Sequence, residues 1–269
     1  MRPRHRESGF ALLVVLWTLG LLALLGTRVV GAGRTEMTLA GNLERSARLE
    51  ALADGAARTA LFHRLPGAPP WPADGQWRSD PQAGGAARVA LRIIALGGRI
   101  NPNLAPPEEW MGLFTALGVP REVAAPLTGA LIAWRTPGMG DPSAAKYTQT
   151  NRDWGPPGTQ FESLGELGLV YGTTPELLAL LRPHLSLATT LEPDPVLADP
   201  VVLRALSLAG NSNLSAGGAA AADRALRAQA YEIEALATDG PARFGRRITV
   251  LIDPSDTDHP AHVLGWESF

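Results

Sequence analysis

Few residues in this chain carry the spacing that chemistry needs. Its five histidines are His5, His63, His184, His259 and His262, and it has no cysteine. Thiol chemistry and disulfides are therefore absent. His259 and His262 lie close to Asp256 and Asp258, which invites a metal reading. That spacing matches no established ligand pattern, and Pro260 between the histidines marks a surface turn. No nucleophile elbow, phosphate loop or zinc-protease motif occurs, so the chain is not expected to be an enzyme. The remaining candidate for chemistry is a peptide bond that would be acted upon, the Gly9-Phe10 step. It joins a start carrying Arg2, Arg4 and Arg6 to eighteen uncharged residues, Phe10 to Thr27.

That run has the length of a membrane span. As a helix it measures roughly 27 Å at 1.5 Å per residue, against a hydrocarbon core of ~30 Å. All but Thr18, Gly20, Gly26 and Thr27 are strongly apolar or Ala. Arginines on its N-terminal side favour a cytoplasmic N-terminus, although Arg28 and Arg34 weaken the bias. A cleaved secretory signal and an unprocessed anchor are the alternatives. Gly31-Ala32-Gly33 could serve as a signal cleavage site, but neither alternative accounts for the Gly-aromatic step.

Helical spacing continues past the apolar run. Leu49, Leu52, Ala53, Ala56, Ala57, Ala60 and Leu61 share one face, with Glu44/Arg48 and Asp54/Arg58 as i,i+4 pairs. Pro66 ends the pattern. One helix is thus predicted from Phe10 to about Leu65, apolar all round in its first half and amphipathic in its second. Residues 71–87 read as loop and Arg88–Leu96 as a strand. Helical grammar follows. Pro106 and Pro107 open a helix carrying Trp110, Leu113, Phe114 and Leu117, and Gly118 closes it. Arg121–Arg135 suggests a second helix, kinked or delayed by Pro126. Ser163 with Glu166 fits a capping box, and Thr174-Pro175 starts a short helix. Residues 101–113 align with 194–206 at Pro102, Leu104, Ala105, Pro107 and Leu113, a weak repeat of a turn and a helix start. Three strands close the chain, at Ala230–Leu236, Arg247–Ile252 and Ala261–Trp266, and suggest an antiparallel meander. The fold class is therefore α+β, a long N-terminal helix packed on an antiparallel sheet with an inserted all-helical domain.

Taken together these features resemble the minor pseudopilin K family of the type II secretion system. The Arg-rich residues 1–9 look like a prepilin leader, followed by a helix over 10–65. Most pilin-like subunits carry Glu at the fifth mature position, where this chain has Val14. The segments Ile100-Asn101-x-Asn103-x-Ala105-Pro106, Phe161–Leu167, Gly172–Glu176 and Val263–Glu267 resemble successive stations of that family. By this resemblance the sheet domain is pilin-like. It would start at 66–98, be interrupted by a helical domain at 99–187 and resume at 188–269.

The resemblance also implies a function. The chain would be a minor pseudopilin at the tip of the pseudopilus, helping to initiate its assembly and protein export across the outer membrane. Prepilin peptidase would cut after Gly9 and methylate the new amine of Phe10. Expected partners are the minor pseudopilins I and J, other pseudopilins, inner-membrane secretion components and the membrane. The location would be the inner membrane, single-pass, with a cytoplasmic N-terminus and a periplasmic C-terminal domain. Val14 has a physical rationale: an unpaired carboxylate in the bilayer is expensive, and a subunit at the tip has no neighbour ahead of it to pair with.

No cofactor is expected. Calcium is an alternative only, because the stretch where the family carries acidic residues offers Asp141 alone, with Asp153 and Glu162 as distant candidates, while calcium takes six to eight oxygens. The alternative function is a membrane-anchored helix-hairpin-helix DNA-binding protein, with Leu117–Pro120 as the hairpin. Charge argues against it. The formal net charge is −2, and residues 97–187 hold six basic against eight acidic side chains, which repels phosphate. No nucleic-acid partner is expected.

Overall fold

The computed structural model describes residues 8–79, 87–140, 144–149, 153–189, 192–210 and 228–269. Within the first helix, side chains are described at Phe10, from Leu12 to Leu24 and from Glu36 onward. The leader residues 1–7 and Asp141 lie outside the described residues.

Helix α1 runs from Ser8 to Phe62, 55 residues, or about 80 Å. It carries no helix-breaking proline, and its end is fixed locally. Arg64 Nη1 donates to the Trp71 carbonyl at 2.9 Å and Arg64 Nη2 to the Tyr231 hydroxyl at 2.5 Å. His63 stacks on Trp71 at 4.2 Å. These contacts turn the chain back beneath the sheet.

The sheet orders its strands β1(Arg78–Ser79), β2(Arg88–Ala95), β3(Gln229–Asp239), β4(Ala242–Ile252) and β5(Ala261–Ser268), every pair antiparallel. Period-two alternation gives each strand two chemically different faces. On one face Ile93, Ile233, Ile248 and Trp266 stand side by side across four strands. This face packs on Leu49, Ala53, Ala56, Ala57 and Ala60 of α1. Four alanines let the helix approach the sheet closely. One residue along, the opposite face carries Arg92, Glu234, Arg247 and Glu267 in register. Glu234 is only 2% exposed, held by Arg92 at 2.6 Å and Arg247 at 2.7 Å. Burying a carboxylate is costly unless it is paired, and here two guanidinium groups pair it.

Between β2 and β3 the chain forms α2(Pro107–Ala116), α3(Arg121–Arg135), α4(Ala144–Gln149), α5(Pro175–Leu181) and α6(Pro200–Leu208). Their buried residues build a second core, centred on Trp110, Phe114, Leu131, Trp134, Leu167, Leu185 and Leu206. This core differs from the sequence expectation in extent. Val202, Ala205 and Leu206 of α6, which follow the expected boundary at 187, lie in the helical core. Gly112 explains the contact: a Cβ there would sit 2.3 Å from the Ala205 carbonyl oxygen, so only glycine lets α2 and α6 lie backbone to backbone.

The repeat is visible in the structure. Asn101 Oδ1 accepts from the Asn103 N–H at 2.8 Å, and Asp194 Oδ1 accepts from the Val196 N–H at 2.9 Å. The Asn101 carbonyl accepts from Leu104 and Ala105, and the Asp194 carbonyl from Leu197 and Ala198. Each turn then leads into a helix with proline at its start. Gly112 and Ala205, the pair in contact, occupy equivalent positions of the two segments.

Other differences are local. The segment 71–87, expected as loop, holds the two-residue strand β1. Helix α3 includes Pro126 rather than starting after it. Pro126 is exposed, so the Glu122 carbonyl it leaves without an intrahelical donor lies on the wet side.

Candidate functional site

The candidate site is the free half of α1. The first residue of α1 buried by the rest of the chain is Leu49 among those described. From Leu12 to Leu24 every side chain is exposed, including Val14 at 43% and Trp17 at 75%. Exposed apolar residues cover all sides of this stretch. A helix of that kind is stable only when another protein or a lipid phase covers it. Thr18, the one hydroxyl among residues 10–24, donates to the Val15 carbonyl at 2.9 Å and so satisfies itself without water. Among the described residues no helix is long and apolar enough to cross a membrane. The uncharged run of the sequence extends to Thr27, through positions whose side chains lie outside the description.

Gly9 and Phe10 sit in the first turn of α1, and Phe10 is 72% exposed. Glycine adds backbone freedom at this step. Val14 lies about one turn further along and has no acid–base capacity.

The junction between the free and docked halves of α1 is held electrostatically. Arg45 pairs with Asp239 at the β3–β4 turn at 3.7 Å. Arg246, 7% exposed, donates to Asp54 at 2.5 Å and to Glu50 at 2.9 Å, both on α1. Arg58 lies over the Trp266 ring at 5.0 Å.

The other sequence candidates turn out to hold the fold together. Asn101 Nδ2 donates to the Thr189 carbonyl at 2.5 Å. Asn103 exchanges two hydrogen bonds with the Phe161 backbone, at 2.8 and 2.9 Å. Arg135 donates to the carbonyls of Pro102 and Ala105, both at 2.5 Å, and burial lowers its pKa. Thr174 caps α5 by accepting from the Leu177 N–H. The Glu166 carboxylate accepts from the Ser163 N–H at 2.9 Å, half of the expected capping box. Trp134 stacks on Phe161 at 6.2 Å. These contacts hold the fold together, in the core at Asn101 and Trp134 and at the surface at Ser163 and Thr174.

The histidine–aspartate loop is likewise self-contained. Asp256 Oδ1 accepts from the N–H groups of Asp258 and His259, and Asp256 pairs with His262 at 3.4 Å. Asp253 is held below its usual pKa by the Ser255 hydroxyl and N–H, helped by His262. Among the described residues no group of three or more His, Asp or Glu side chains is placed to hold a metal ion.

The hairpin of the DNA-binding alternative is committed elsewhere. The N–H groups of Leu117, Gly118 and Val119 donate to Leu113, Thr115 and Phe114, and Pro120 has none. These donors close α2, with Gly118 at φ +79°, and are not available to cradle a phosphate.

Comparison with known proteins decides among the readings. A family model described as type II secretion system (T2SS), protein K matches residues 91–190. Over that segment the chain is similar to the type II secretion protein K family. The resemblance read from the sequence is borne out, and the stations at 100–106, 161–167 and 172–176 fall inside the match. The fold agrees as well. The crystal structure of the GspK-GspI-GspJ complex from the enterotoxigenic Escherichia coli type 2 secretion system contains a chain that superposes with a TM-score of 0.60 at 15% identity. The superposition covers 88% of this chain and 98% of that one. At that identity the likeness is one of fold. No curated protein matches this chain in sequence. Both comparisons point to a minor pseudopilin of type II secretion as what this chain is similar to.

Proposed function

We propose that this protein is the minor pseudopilin at the tip of the type II secretion pseudopilus, where it helps to initiate assembly and supports protein export across the outer membrane. The observation that carries the reading is the division of α1. Its C-terminal half is buried on its own sheet, while the described side chains from Phe10 to Leu24 are all exposed and, but for Thr18 and Gly20, apolar. Such a helix needs a bilayer or a bundle of like helices, and a pseudopilin meets both.

In this reading prepilin peptidase cleaves between Gly9 and Phe10 and methylates the Phe10 amine. The run Phe10–Thr27 crosses the inner membrane once, N-terminus inward, and the folded part lies in the periplasm as a pilin-like sheet domain interrupted by an all-helical domain. Partners homologous to GspI and GspJ, the other pseudopilins and inner-membrane secretion components surround it. Val14 places no carboxylate in the membrane, as suits a subunit with no neighbour ahead of it.

Intact mass and N-terminal sequencing of the membrane-extracted protein, expressed with and without a prepilin peptidase, test the reading. The expected result is a peptidase-dependent start at methylated Phe10. A start near Thr35 that does not depend on the peptidase would make the chain an ordinary secreted protein and remove the proposal.

A further inference from the structure

We draw no further inference here: the strongest candidate, the outer edge of β5 with Val263, Leu264 and Trp266 exposed, is an unpartnered apolar edge, and nothing in the structure shows what covers it.

Discussion

At the scale of single residues, glycines inside helices behave in opposite ways. Helix propensity favours alanine over glycine by about 1 kcal/mol. At Gly129, in α3, a Cβ would meet nothing within 4 Å, so Gly129→Ala should stabilise the protein by up to about 1 kcal/mol. At Gly112 the same methyl would sit 2.3 Å from the Ala205 carbonyl oxygen. Overpacking costs about 1–3 kcal/mol and should outweigh the propensity gain, so Gly112→Ala destabilises. Urea denaturation of both variants checks the pair, and equal stabilisation by both would show that α2 and α6 do not touch as described. This contact was only partly legible in the sequence. The 101–113 and 194–206 repeat pointed to two similar helix starts, but a helical glycine carries no signal of what lies opposite. Asn101 and Asn103 were legible as a family station. Their work, fastening Thr189 and Phe161, depends on contacts 58 to 88 residues away along the chain and so had no local signature.

At the scale of elements, legibility followed periodicity. Strands β2, β3 and β4 alternate strictly enough to be placed from the sequence, because one face of each meets α1 and the other meets charge or water. Strand β1 has two residues and no period to detect. The six-residue α4 was missed for the same reason. The charged row Arg92–Glu234–Arg247 was hidden in alternation that gives polarity but not partners. The joint between α1 and the sheet shows how such partners set geometry. Its apolar contact is built largely from alanines, which provide little side-chain interlocking, so Arg246 with Glu50 and Asp54 fixes the register of the helix. Arg246→Met keeps the apolar stem but takes the guanidinium from both carboxylates, leaving Asp54 only its longer pair with Arg58 at 3.6 Å. The expected loss is about 1.5–3 kcal/mol, the range for hydrogen bonds to charged groups. A double-mutant cycle with Asp54→Asn should show coupling of at least ~0.5 kcal/mol. Additive losses would mean that the pair does not register the helix.

For the whole molecule, the two halves of α1 separate folding from assembly. Among the described residues none before Leu49 is buried, and Arg45 makes an exposed pair of the kind worth ~1 kcal/mol or less. A chain lacking residues 1–43 should therefore unfold within a few degrees of the full-length folded part, by the usual conversion of about 1 kcal/mol to ~2–4 °C at this size. A loss much beyond that would place part of the fold's stability in the free half of α1. The free half matters instead for what the molecule joins. Val14→Glu leaves every described contact of the folded part intact, since Val14 touches none of it. On the proposed placement at the tip and in the membrane, it would introduce a carboxylate with no amine ahead of it to neutralise, at a cost of roughly 2.5–3.5 kcal/mol on insertion-based scales. The expected outcome is normal folding and processing of the variant but markedly less of it recovered with the other minor pseudopilins after crosslinking in membranes. Wild-type recovery at an unchanged tip would show that this carboxylate finds a partner, and the subunit would then belong within the filament rather than at its end.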